Sequence, residues 1–361
     1  MNFANLEQSE ITLYGQGNND VTMKFPVPPE LQYTLQTKRV GIQDMEIDTQ
    51  GFPRFVPQLF WYNSDVNSYK TGAVIDNEIG GGDYYDALGY FFIIRKNDNS
   101  IACKSVVQWS NPNNFTSFPT FNGPDPRSIY LTPYYYCYNF MDFLDMCQNA
   151  IVAGLTNVIG SAPTAVPTFL YYPITQTFKM TIPQTLGDDY NIEMSNSLKE
   201  LFNFQTQQIN LGYNLVSTNT VITYQIVWTN VGTVDDDYNA SCRVSNNIYP
   251  FDLYMLECST LPINPMTFIS TQTRIYNGAD LSKKIIKRWR NQYDLFDRYT
   301  SLSLDTEEQT DKLRPMNKNK MDDNLLTFIL WVRTRREQEY LEWAIPRGQQ
   351  INFLLNTYAL A

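Results

Sequence analysis

The chain has 361 residues, of which 43% are hydrophobic and 14% aromatic, with 25 Tyr and 21 Phe. That is enough apolar material for a large core, and it excludes a disordered polymer. The formal net charge is −10 and histidine is absent. Overall charge therefore sets aside nucleic acid as an expected partner, and the missing imidazole removes Ser-His-Asp and Cys-His catalysis, most catalytic zinc sites and His-ligated iron.

Tyr and Phe in such numbers favour sheet over helix. The opening MNFANLEQSEITLYG has no apolar signal-peptide core. Strands are expected at 11–14, 39–48, 55–62, 88–95 and 101–109. The glycine stretches GQGNND at Gly15 and GGGD at Gly80 lack the strand-turn-helix context of a phosphate cradle and read as turns. A helix is expected from the N-cap Asn139, with Phe140, Phe143, Leu144, Cys147, Ile151 and Leu155 at helical spacing and Asp142 and Asp145 near its positive end. TQTFKMTIP then alternates, with Phe178, Met180 and Ile182 opposite Thr177, Lys179 and Thr181. Ser197-Leu-Lys-Glu200 has capping-box spacing, so a second, short helix is expected there, its small face of Leu198, Leu201 and Phe202 docking on a sheet.

Beyond it, TVITYQIVW sets Ile222, Tyr224, Ile226 and Trp228 against Val221, Thr223, Gln225 and Val227. Segments 251–258 and 325–333 also read as strands. LLTFILWV (325–332) is apolar on both faces and is expected to lie centrally. QINFLLNTY places Ile351, Phe353 and Leu355 on one face. Long turn-rich loops at 77–86, 110–128, 160–168 and 304–323 are of the kind that form interfaces. The pattern is an antiparallel all-β sandwich or barrel with insertions and two short helices. No run of about 18 apolar residues is present, so no membrane span is expected.

Chemistry is sparse. Cys103, Cys137, Cys147, Cys242 and Cys258 are odd in number and irregularly spaced, which fits buried free thiols better than a disulfide framework or zinc site. The sequons at Asn114 and Asn239 are read as unused. Carboxylates cluster at Asp188-Asp189, Asp235-Asp236-Asp237 and Asp322-Asp323; calcium held between loops and solvated turns both remain open. A pair of acids for glycoside hydrolysis has no residues to single it out. Lys283, Lys284, Lys287, Arg288 and Arg290 surround Trp289, and Arg333, Arg335 and Arg336 follow, so residues 270–361 hold 15 basic against 12 acidic groups while the rest hold 12 against 25. The reading is a solvated face or a contact to acidic neighbours. Trp109, Phe115, Phe118, Phe121 and Tyr84-Tyr85 are candidates for sugar stacking or for packing under loops. No catalytic, cofactor-binding or metal-binding residue is assigned, and no cofactor is expected.

The order of segments carries more than any one of them. ITLYGQGNN leads to TKRVGIQDMEID, then to NFMDFLDMCQNAIVAGL, FLYYPITQTFKMTIP, YNIEMSNSLKELFNF, YPFDLYMLECSTL and LLTFILWVRTRREQEYLEWAIPRGQQINFLLNTY. This succession resembles the penton, or minor capsid, proteins of virophages and polinton-like viruses. Ser195, Leu198, Leu201-Phe202 and Phe204 match the family's short-helix element, with Asn203 where Gly is usual. Asn also tolerates a left-handed C-cap. Ile345-Pro346-Arg347-Gly348 matches its final turn.

The resemblance implies a single jelly roll and a structural virion protein, without enzymatic activity, forming a homopentameric icosahedral vertex among double-jelly-roll capsomers of a major capsid protein. It also implies a place in the virion after synthesis in host cytoplasm, and an outward insertion in some members. A carbohydrate- or receptor-binding attachment protein is the alternative, with a host receptor or glycan as partner. On this basis residues 1–204 with 321–361 are expected to form the jelly-roll domain, and 205–320 its remaining strands with an insertion domain.

Overall fold

A computed structural model describes residues 3–17, 20–32, 38–48, 52–57, 60–63, 68–71, 90–112, 133–213, 221–230, 237–244, 248–268, 281–290, 299–302, 314–316, 324–335, 338 and 340–360. Strands β1 (Phe3–Tyr14), β2 (Thr22–Pro26) and β3 (Lys38–Asp48) come first. β4 (Phe60–Asn63), β5 (Ser68–Thr71), β6 (Phe91–Lys96) and β7 (Ala102–Val106) precede a helix, Phe140–Ile159. Then follow β8 (Thr168–Tyr172), β9 (Thr177–Ile182), β10 (Tyr190–Met194), a short helix Asn196–Leu201, β11 (Thr206–Tyr213), β12 (Val221–Ile226), β13 (Thr229–Asn230) and β14 (Tyr238–Arg243). The last set is β15 (Phe251–Cys258), β16 (Met266–Phe268), β17 (Leu281–Lys283), β18 (Ile285–Arg290), β19 (Tyr299–Leu302), β20 (Arg314–Pro315), β21 (Leu325–Thr334), β22 (Tyr340–Trp343) and β23 (Gln350–Leu360).

The chain forms two compact units, 1–52 with 250–361, and 53–249. The first is an antiparallel jelly roll. One sheet runs β1-β23-β3-β19, with β20 also on β3; the other runs β18-β15-β21-β2, with β22 also on β21. Chain order crosses between sheets at β1 to β2 and back at β2 to β3, which is the Greek-key path of that fold. The period-two pattern sets the core: Ile11, Leu13, Val40, Ile42, Ile351, Phe353 and Leu355 from one sheet, Leu326, Phe328, Leu330, Val332 and Leu256 from the other, all buried. Phe328 and Phe353 meet edge to face across it, centroids 5.5 Å apart. β21 is central as expected, flanked by β15 and β2.

The expected boundaries are not those of the compact units. Residues 53–204 belong with 205–249, and the jelly roll resumes at 250. All of 53–249 enters between β3 and β15. The physical reason is that β6 to β14 alternate just as jelly-roll strands do, and period two does not say which sheet a strand joins.

Within 53–249 the sheets run β11-β12-β10-β6-β7 and β13-β14-β9-β8, with β4 and β5 as a separate pair. The long helix starts where expected, Asn139 accepting a hydrogen bond from the Met141 amide at 2.9 Å, and it ends on Gly160 at φ 80°. Gly154 lets it approach β6, since a Cβ there would lie 2.6 Å from Ile94 Cγ1. The short helix begins earlier than the capping-box spacing indicates. Its cap is Ser195, whose Oγ accepts from the Leu198 amide and from Phe91 N of β6. Ser197 lies buried in the first turn instead. The helix ends in an extended Phe202, φ −104° and ψ 107°, and Asn203 adopts no left-handed conformation. Extension lets Phe202 enter a ring cluster with Phe143, Phe169, Phe178 and Phe204.

Candidate interaction surface

The state of the reactive groups decides whether a chemical site is present. Cys137, Cys147, Cys242 and Cys258 are buried and free. Burial raises all four thiols, Cys242 up to about 12 and Cys258 up to about 11. Such thiols stay protonated and are poor nucleophiles. Two buried glutamates are engaged inside the fold. Glu193, 1% exposed, accepts from Arg95 Nε at 2.6 Å and from the Thr223 hydroxyl. Glu257 accepts from Trp331 Nε1 at 2.7 Å. Sequence reading missed both; the only signal was an acid set between apolar neighbours, Ile192 and Met194 for Glu193, Leu256 and Cys258 for Glu257.

Asp188-Asp189 is a turn: both main-chain carbonyls accept from Asn97, and the Asp188 carboxylate accepts from the Tyr238 hydroxyl. Asp237 is exposed, while Asp235, Asp236, Asp322 and Asp323 lie outside the described residues. Among the described residues no group of three or more His, Cys, Asp or Glu is placed to hold a metal. None of their helices is long and apolar enough to cross a membrane.

Other sequence candidates resolve into packing. A Cβ on Gly15 would sit 2.3 Å from the Ile345 and Pro346 carbonyl oxygens, so this glycine serves a close backbone approach. Gly80 falls outside the described residues. Trp109 packs on Tyr134 and Tyr135, with centroids 6.3 and 6.0 Å away. Tyr84, Tyr85, Asn114, Phe115, Phe118 and Phe121 lie outside the described residues.

The basic run is partly consumed by the fold. Lys283 lies 4.6 Å over the Trp331 ring, Lys284 donates to the Ser259 carbonyl at 2.9 Å, and Lys287 is buried. Trp289 stacks on Tyr254. Arg333 grips Asp252 with two nitrogens, and Arg335 is held through its amide to Pro250. Arg288 remains exposed, and Arg336 lies outside the described residues.

What remains are surfaces. On the outer face of the first jelly-roll sheet, alternation exposes Gln8, Glu10 and Tyr14, with Glu46 half-buried, and a register shift in β3 exposes Asp44, which has φ 47°. The outer face of the second exposes Lys24 and Arg288. In 53–249, the sheet β13-β14-β9-β8 buries Phe169, Phe178, Met180, Ile182, Ala240 and Cys242 on one side. Register brings the other side into rows: Tyr172–Thr177–Arg243, then Leu170–Lys179–Ser241, then Thr168–Thr181–Asn239–Thr229. Leu170 is 40% and Tyr172 42% exposed, and Ile174 at the adjoining hairpin tip is 99% exposed.

No protein-family model matches the chain, and no curated protein matches it. Among solved structures the fold recurs along nearly its whole length. The mavirus penton protein superposes with a TM-score of 0.61 over 99% of this chain and 100% of its own, at 11% identity. A chain of the Sputnik virophage structure gives 0.68 over 98% of each, at 16% identity. The protein therefore has the fold of virophage penton-type proteins.

Proposed function

We propose that the chain is a structural capsid protein, without enzymatic activity, whose copies form the pentameric vertex of an icosahedral virion. The observation that supports this best is the jelly-roll strand order with its long excursion between β3 and β15. The mavirus penton protein shares that fold from end to end. Buried protonated thiols and fully engaged inner carboxylates fit a protein whose work is done by surfaces.

A closed ring of identical subunits requires a head-to-tail contact between two different patches. The outer faces of a sandwich provide such a pair. One carries Glu10, Asp44 and Glu46, with Arg39 as the described exception. The other is closed over Leu253, Met255 and Trp331 in its middle and presents Lys24 on one edge strand and Arg288 on the other. Its acids Glu257, Glu342 and Asp252 are engaged by Trp331, Lys283 and Arg333. Opposite charge on the two faces would select orientation and suppress face-to-face mispairing more than it would add strength.

The major capsid protein would surround the ring. Purified virions test this directly: antibody label on the chain is expected at the five-fold vertices, and label spread over the facets, or absent from particles, overturns the reading.

A further inference from the structure

We propose that the open face of β13-β14-β9-β8 binds a linear anionic polysaccharide, with Lys179 and Arg243 taking its sulfate or carboxylate groups and Tyr172 stacking on a sugar ring. Ten side chains form this face in register. Seven carry a hydroxyl or amide: Thr168, Tyr172, Thr177, Thr181, Thr229, Asn239 and Ser241. Such groups both donate and accept, as sugar hydroxyls do. The two charged members are both cations, and no carboxylate stands among the ten. In a chain of net charge −10 that is a local reversal of sign, and it is what an approaching polyanion would be steered to.

Lys179 faces Ser241 across the β9–β14 ladder, so Arg243 is its diagonal neighbour, at a backbone spacing of about 7–8 Å. Two anionic groups on one sugar chain can be met at once. The nearest carboxylate along β14 is Asp237, beyond Asn239 and at the far end from Arg243. Leu170 is the only aliphatic member, whereas the core of a protein–protein contact is richer in apolar side chains. That composition favours a sugar chain over another protein. The inference does not depend on the vertex reading, since a monomer presents the same face; a ring of five would add avidity.

The test uses the full chain on immobilised heparin, with neutral dextran as control. Wild type is expected to bind heparin, release with salt and ignore dextran. The double variant K179E/R243E is expected to bind about tenfold more weakly. Tyr172→Ala should also weaken binding, and Arg288→Glu in the other unit should leave it unchanged. If the charge reversal unfolds the sheet, Lys179→Gln with Arg243→Gln gives the same comparison. Failure of wild type to bind, or equal binding by the folded double variant, overturns the proposal. So does a variant that binds heparin normally but no longer associates with other copies of the chain, which would make the face a protein contact.

Discussion

Phe202 ends the short helix, and its replacement by alanine tests why that helix is there. The side chain is fully buried and meets four rings, with centroids at 5.1 Å to Phe169, 5.4 Å to Phe178, 5.8 Å to Phe204 and 6.3 Å to Phe143. Removing a buried phenylalanine costs about 3–5 kcal/mol in lost transfer and residual cavity. The near-perpendicular pairs with Phe169 and Phe178 place Phe202→Ala toward the upper part of that range, about 4 kcal/mol. With a urea m-value of about 2 kcal/mol per molar, the midpoint for residues 53–249 should fall by about 2 M. Pulse proteolysis in urea, following cleavage within 53–249, reads the shift. Ile174→Ala at the exposed hairpin tip serves as control and should not move it. A shift under about 0.5 M for Phe202→Ala would refute the view that the helix is a packed corner held by this ring.

Asn139→Ala removes the cap of the long helix and should cost about 1 kcal/mol, seen as a small fall in the same midpoint. Arg95→Leu leaves the Glu193 carboxylate buried without its guanidinium and should destabilise by about 3 kcal/mol, while Arg95→Leu with Glu193→Leu should recover part of the loss. Four thiols should be silent to a thiol reagent until the chain unfolds, with half-buried Cys103 the exception; prompt reaction of several would contradict their burial. Burial raises those thiols in the fold, so their contribution is intact below the free-thiol value of 9.0 and lost as pH climbs above it. Lys104, held down by burial to about 8 from 10.5, acts in the opposite sense between those values. Four thiols outweigh one lysine, so stability should fall with pH above about 9.

Local physics made much of this molecule legible in its sequence. Phe178, Met180 and Ile182 face inward as their alternation indicates, as do Ile351, Phe353 and Leu355. Asn139 caps its helix because its side-chain oxygen reaches the Met141 amide, a contact between near neighbours in the chain. What alternation does not encode is partnership. Nothing in Thr177, Lys179 and Thr181 reveals that Tyr172, Leu170 and Thr168 stand beside them on one side and Arg243, Ser241 and Asn239 on the other, so the cationic face could not be assembled from sequence.

In TVITYQIVW the expected apolar set is mixed: Ile222 is 44% exposed, whereas Thr223 is buried because its hydroxyl reaches Glu193. The Ser195 cap was hidden for a similar reason. Its second hydrogen bond comes from Phe91, more than a hundred residues earlier, and Ser197 offered the tidier local pattern.

The mass of the purified chain in solution, measured alone and again with the major capsid protein, bears most directly on the vertex assignment. A closed assembly of five subunits, free or induced by that partner, is the expected result. A chain that stays monomeric in both conditions, or closes with a different number of copies, would contradict it.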